Sequence, residues 1–166
     1  MRLERLLYFA LVGNFLLRPI DASTSETTRR YIDNIVKETV ERYDAHKHGI
    51  TPKLVSSVIL HESSYDSLAV SRKGARGLMQ LMPFTAEELS VDPLNPRDCI
   101  DGGIRRLIKL CRKYKDTRLA LAAYNCGETK VDTLRVVYGE LWWDKLPRET
   151  RNYVANVLGY INRKKS

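Results

Sequence analysis

The sequence predicts a mainly α fold built as a single domain. Three observations carry that prediction. Apolar residues recur at helical spacing along most of the chain. Polar caps and prolines stand where helices should begin, and a glycine stands where one should end. No segment shows the two-residue alternation of a half-buried strand. The chain has 166 residues, room for one core rather than two. With 43% hydrophobic and 29% charged residues it is not a disordered or low-complexity chain.

Taken in order, the elements begin with a segment outside the fold. Met1 to Arg5 carries two arginines, and Leu6 to Leu17 is an apolar run without a charge. A basic start, a short apolar core and the small Ala22 read as a secretory signal over residues 1–22. That reading places the mature protein outside the cytoplasm, in the periplasm. The competing readings are a buried first helix and an uncleaved anchor. Gly13 and Asn14 interrupt a stable helix, and the run falls short of the roughly 18 residues of a membrane span. Ile20 and Glu4 depart from an ideal signal.

Residues 23–50 read as a polar linker, continuing to Thr28, and a first helix with Ile32, Ile35, Val36 and Val40 on one face. Residues 51–166 form the main unit. Thr51-Pro52 starts a helix with Thr as cap, and Leu54, Val55, Val58 and Ile59 make its apolar stripe. Gly74, Gly77 and Pro83 mark residues 71–83 as irregular and tightly turned. A short helix is expected after Thr85. Asp98 is the expected cap of the next helix, which buries Ile100, Ile104, Leu107, Ile108 and Cys111. Thr117 opens a small-residue helix that stops at Gly127, and Glu128 to Tyr138 reads as another. Pro147 starts the last helix, with Tyr153, Val154, Val157, Leu158 and Ile161 inward.

Composition narrows the function classes. Three cysteines are too few for a dense disulfide scaffold, although one pair could be oxidised in an exported chain. The CxxC and His spacings of a zinc site are absent. His46-Lys47-His48 reads as a solvated loop, and neither a metal nor an organic cofactor is expected. Lys and Arg number 28 against 20 Asp and Glu, a net charge of +8 that favours an anionic partner. The basic residues are scattered and form no nucleic-acid reader motif, so nucleic acid is not the expected partner.

Glu62 is the position that points to chemistry. It stands seven residues after Val55 and four after Val58, on the same helix face as the apolar stripe. A carboxyl at the end of a buried stripe loses hydration, which disfavours its charged form and raises its pKa. A carboxylic acid still protonated near neutral pH is what general acid catalysis of a glycosidic bond requires. A helix-end glutamate that simply reaches water would show the same spacing.

The surrounding motifs weigh toward chemistry. His61-Glu62-Ser63-Ser64-Tyr65 leads to Ser71 and then to Gly74-Ala75-Arg76-Gly77-Leu78-Met79-Gln80-Leu81-Met82-Pro83. Ala122-Ala123-Tyr124-Asn125-Cys126-Gly127 follows, and then Leu146-Pro147-Arg148-Glu149-Thr150-Arg151-Asn152-Tyr153-Val154. Together these four pieces, in this order, resemble the catalytic domain of the soluble lytic murein transglycosylases, with its goose-lysozyme-like fold. The resemblance runs from about Leu54 to Tyr160.

The resemblance implies a single lysozyme-like domain with a substrate cleft, and a role for each matched residue. Glu62 matches the catalytic acid, and Ser71 a serine that contacts the site carboxyl and the substrate. Gln80 and Met82 match residues lining sugar subsites. Tyr124 and Asn125 match the motif facing the acid across the cleft, and Glu149 borders it. Each has a plainer rival. Tyr124 could be core with a satisfied hydroxyl, and Glu149 falls in a first helical turn, where an acid suits the dipole. Met79 is expected inward and Met82 toward the cleft. Trp142 and Trp143 are expected to pin the last helix rather than stack on sugars. Cys99 and Cys126 replace the family's usual Asn and Ala, which leaves open a bridge between them.

The implied reaction is cleavage of the MurNAc–GlcNAc β-1,4 bond of peptidoglycan with formation of 1,6-anhydro-MurNAc ends, without metal or cofactor. Ordinary glycosidases use two carboxylates about 5–10 Å apart. Asp66, the acid close to Glu62 in sequence, reads as a turn former. A hydrolase like goose-type lysozyme and a non-enzymatic peptidoglycan-binding module are the alternatives. The expected partner is the glycan strand; general wall turnover and service to a cell-envelope-spanning machine both remain open.

Overall fold

Helix starts in this chain are set by short polar caps followed by proline. In the computed structural model, which describes residues 22–162, Thr51 accepts a hydrogen bond from Leu54 N at 3.2 Å, and Pro52 begins the helix. The elements are α1 (Ala22–Arg42), a 3-10 turn (Ala45–His48), α2 (Pro52–Ser63), α3 (Pro83–Leu89) and α4 (Pro96–Tyr114). Then come α5 (Thr117–Cys126), α6 (Glu128–Tyr138), a second 3-10 turn (Gly139–Leu141), α7 (Trp142–Lys145) and α8 (Arg148–Asn162). No sheet forms among the described residues; two isolated antiparallel bridges, Val70 to Arg76 and Arg76 to Leu81, pin the irregular segment after α2.

Several boundaries differ from the sequence expectation. The polar stretch expected as a linker is helical from Ala22, as an extension of the helix whose Ile32, Ile35, Val36 and Val40 are buried. The residues expected to form a secretory signal lie outside the described residues, apart from Ala22. α3 starts at Pro83 rather than after Thr85, because proline suits a first helical turn. The cap of α4 is Asn95, not Asp98: Asn95 Oδ1 accepts from Arg97 N at 2.9 Å and Asp98 N at 3.3 Å, ahead of Pro96. Asp98 lies inside the first turn, where its charge favours the helix dipole. The last helix begins at Arg148, with the Pro147 carbonyl accepting from Arg151 N.

α4 is the central helix. Cys99, Ile100, Ile104, Leu107 and Leu110 are almost wholly buried along it, each large aliphatic contributing about 1.5–3 kcal/mol. It packs against α1 and α5, while α8 packs on both α2 and α5. Gly103 of α4 lets Met79 approach so closely that an added Cβ would overlap its sulfur. The irregular segment is thereby pressed onto α4 and held beside the end of α2.

Candidate active site

Glu62 sits next to the last residue of α2. Behind it, buried Ser63 donates to Leu78 O at 2.9 Å, fastening the helix end to the irregular segment. Ahead of it, Ser64 and Tyr65 both take left-handed backbone, with φ of 54° and 68°. Such a conformation is costly for a bulky residue. Tyr65 is held in it by Arg29, 4.7 Å over its ring, and by its hydroxyl donating to Asp33 Oδ1 at 3.1 Å. The chain therefore turns sharply at Ser64, two residues after Glu62. Asp66 completes the turn, as expected, by accepting from Leu68 N at 2.9 Å.

Glu62 is half-buried rather than largely buried, yet its carboxyl is crowded by protein. Desolvation pushes its pKa up to about 7, the Tyr153 hydroxyl opposes the rise, and the negative charge of Glu149 adds to it. A carboxyl in that range can both give and take a proton at neutral pH.

Two tyrosines form the polar surroundings of this carboxyl. Tyr124 of α5 donates its hydroxyl to Met79 O at 2.8 Å, and burial together with the Glu62 charge holds its own pKa well above the usual value. Tyr153 of α8 is buried, and its hydroxyl has no partner of ordinary hydrogen-bond geometry. The same causes, burial first and the Glu62 charge second, raise its pKa. Sequence reasoning did not single out Tyr153 for the site. The signal was available: Tyr153 lies four residues after Glu149, on the same face of one helix.

The other expected residues divide. Asn125 is half-buried and accepts from the buried Thr150 hydroxyl at 2.9 Å, a bond that ties α5 to α8. Gln80, in left-handed backbone at φ 49°, donates to Ala69 O at 3.1 Å and Gly77 O at 2.9 Å. Its Oε1 is buried and has no hydrogen-bond partner among the described residues. Met79 is wholly buried, as expected, and Met82 is 44% exposed. Glu149 is exposed in the first turn of α8, near enough for its charge to act on Glu62.

Ser71 is not hydrogen-bonded to Glu62. Its hydroxyl accepts from Ala75 N at 3.0 Å and closes the turn that also links Ser71 N to Ala75 O. Trp142 and Trp143 are half-buried and meet edge to face at 5.5 Å, with Arg118 lying 4.2 Å over Trp143. The Cys99–Cys126 bridge is absent, and all three cysteines are free thiols. Cys99 is buried and its sulfur accepts from Met79 N, whereas Cys126 ends α5 beside Thr150.

Known proteins resemble this chain in sequence and in fold. The family profile described as Transglycosylase SLT domain matches residues 39–137. The chain is 34% identical over 128 residues to membrane-bound lytic murein transglycosylase F of Yersinia pseudotuberculosis, covering 72% of this chain and 25% of that protein. It is 34% identical over 117 residues to the transglycosylase of Enterobacteria phage PRD1, covering 70% of this chain and 39% of that one. Among solved structures, an inactive mutant of lytic transglycosylase Slt from Pseudomonas aeruginosa aligns with a TM-score of 0.61 and 29% identity, over 74% of this chain and 22% of that one. The 70-kDa soluble lytic transglycosylase in complex with bulgecin A aligns with a TM-score of 0.67 and 26% identity, over 77% of this chain and 23% of that one. The chain thus spans about a quarter of the length of the Yersinia relative. More than half of the chain lies within one family profile, and the helices that carry Glu62 and Tyr124 lie inside it: the chain belongs to the transglycosylase SLT domain family.

Proposed function

We propose that this protein is a peptidoglycan lytic transglycosylase. It cleaves the MurNAc–GlcNAc β-1,4 bond and leaves 1,6-anhydro-MurNAc ends. The observation that carries the reading is the Glu62 carboxyl, raised to about 7 and flanked by Tyr124 and Tyr153. Protonated Glu62 donates its proton to the glycosidic oxygen as that bond breaks. The substrate's 2-acetamido group assists departure. Glu62, now a carboxylate, takes the proton of the MurNAc C6 hydroxyl, and that oxygen closes the anhydro ring. No water is consumed, and Glu62 ends protonated, ready for the next bond.

The Tyr153 hydroxyl, which lowers the Glu62 pKa, stabilises the carboxylate between the two steps by favouring its charged form. Gln80, whose amide braces Ala69 and Gly77, shapes the wall of a sugar subsite, and exposed Met82 covers a sugar face. Tyr124, Asn125 and Glu149 border the bound strand, and Ser71 shapes the turn beside it. Among the described residues no helix is long and apolar enough to cross a membrane. Export through the segment 1–22 delivers the enzyme to the periplasm, where its substrate lies. N-terminal sequencing of the protein from its host tests that step, and a chain still beginning at Met1 in the cytosol refutes it.

Mass analysis of products from purified peptidoglycan tests the reaction. Anhydro-muropeptides are expected, and reducing-end products in their place would make the enzyme a hydrolase. Glu62→Gln is expected to slow release about 10²–10⁴-fold while remaining folded. Release at a near wild-type rate by that variant overturns the assignment.

A further inference from the structure

Two concavities lie on the face of α4 turned away from Glu62. One, of about 400 Å³, is lined by Tyr43, Arg105, Ile108, Lys109 and Arg112. The other, of about 230 Å³, is lined by Lys47, His48, Cys111, Lys115, Asp116 and Thr117. They adjoin where Arg112 Nε donates to His48 Nε2 at 3.2 Å. Arg105, Lys109 and Arg112 fall on one stripe of the helix. The stripe faces away from Gly103, which packs on Met79.

Charge along this groove is one-sided. Its lining holds five cations, Lys47, Arg105, Lys109, Arg112 and Lys115, against one acid, Asp116. Asp116 is already engaged, because its Oδ1 accepts from Leu119 N at 2.9 Å to cap α5. Asp44, Asp101 and Glu88 stand beside Lys47, Arg105 and Lys109 and fix their positions. Arg112 and Lys115 pair with no carboxylate among the described residues. An arginine fork in that condition is suited to a planar carboxylate.

The spread of the cations selects the ligand further. Arg105 and Lys115 are ten positions apart, about 15 Å at helical rise. A single small anion would use one end of such a groove, whereas a chain carrying several carboxylates spans it. Tyr43 and Ile108 add an apolar floor between the charges, which fits small aliphatic side chains. We propose that this groove binds a carboxylate-bearing peptide, the class to which the peptide stems of peptidoglycan belong, as a second contact distant from Glu62. The proposal rests on the peptidoglycan reading above and extends it: the groove keeps the enzyme on the wall between cuts.

The test uses the full-length Glu62→Gln protein, so that binding is read without cleavage, in co-sedimentation with purified sacculi at low salt. Adding Lys109→Gln, Arg112→Gln and Lys115→Asn is expected to weaken binding about tenfold, and Arg112→Gln alone about threefold. All three positions are exposed, and matching unfolding midpoints confirm folding. The control removes the same charge elsewhere, at exposed Arg30, Lys37 and Lys130, and is expected to stay within about twofold. Free stem peptides should displace the parent protein, and glycan strands stripped of stems should bind parent and groove variant alike. Equal loss from both triple variants, or no loss from the groove variant, overturns the proposal. So does displacement by inorganic polyphosphate with none by stem peptides. A wild-type enzyme that makes anhydro products while the groove variant binds normally leaves the proposed activity standing and removes the groove alone. A groove that binds stem peptides on a protein making no anhydro products does the reverse.

Discussion

Replacing Glu62 by glutamine should stabilise the protein, and by an amount that depends on pH. The carboxyl has its pKa moved from 4.5 to about 7 in the fold, mainly by desolvation. Because the folded value is the higher one, the native state holds the extra proton between those limits. Native stability then falls as pH rises through that window, and the loss is complete above about pH 7. At 1.36 kcal/mol per pKa unit, with allowance for the partial exposure of Glu62, ionisation costs the fold about 2–3 kcal/mol. Glutamine does not titrate and carries no buried charge. The variant should therefore gain little at pH 5 relative to the wild type, and about 2–3 kcal/mol at pH 8. For a domain of this size the second figure corresponds to about 4–10 °C in Tm. The assay is thermal or urea unfolding of both proteins across that pH range. Every other titrating group is common to the pair, so the difference curve isolates Glu62. A gap that stays flat from pH 5 to 8, or narrows as pH rises, refutes the account of Glu62 as a desolvated carboxyl.

Further outcomes are expected at the residues around Glu62. The pH profile of kcat/KM should fall above about pH 7 as Glu62 loses the proton it must donate; Tyr153→Phe, which removes the hydroxyl that opposes the rise, should move that limb to higher pH without unfolding the protein. Gly103→Ala places a methyl against the Met79 sulfur and should cost about 1–3 kcal/mol in urea unfolding, with activity reduced because Met79 O anchors Tyr124. Asp66→Asn should retain most activity in muropeptide release, since Asp66 serves its own turn, while Glu149→Gln should lower the Glu62 pKa, read as a shift of the alkaline limb to lower pH.

What the sequence disclosed was local, and what it concealed was brought about by packing. Thr51-Pro52 fixes the start of α2 because cap and proline act within one turn, and that start sets the phase that puts Glu62 beside the buried stripe. Gly127 ends α5 for an equally local reason, at a positive φ of 91°. The cap of α4 was ambiguous because Asn95 and Asp98 are both good cap residues; Pro96 decides in favour of the earlier one. The start of α1 was concealed because serine and threonine are modest helix formers, and its buried stripe lies further along the same helix. Ser71 was placed by its motif at the carboxyl, yet a five-residue turn claims its hydroxyl, and no spacing rule announces that. Tyr153 reaches Glu62 only because α8 packs on α2 across some ninety residues of chain.

That long-range packing also bears on which chemistry the site can perform. Ordinary glycosidases hold a second carboxylate about 5–10 Å from the first to bind or direct the nucleophile. Asp66 is engaged with Leu68 N and belongs to the turn that carries the chain away. Glu149 is exposed on α8, and its effect on Glu62 is to raise the pKa through its charge. That charge keeps the acid protonated, as donation to the glycosidic oxygen requires. What α8 brings to the Glu62 carboxyl at close range is a phenol, and a phenol donates a hydrogen bond to a carboxylate without competing for the incoming proton. In the proposed reaction one carboxyl acts as acid and as base in turn, and a pKa near 7 makes neither role costly at neutral pH. The proposed reaction draws its nucleophile from the substrate instead: the sugar's own C6 hydroxyl closes the anhydro ring as Glu62 takes its proton.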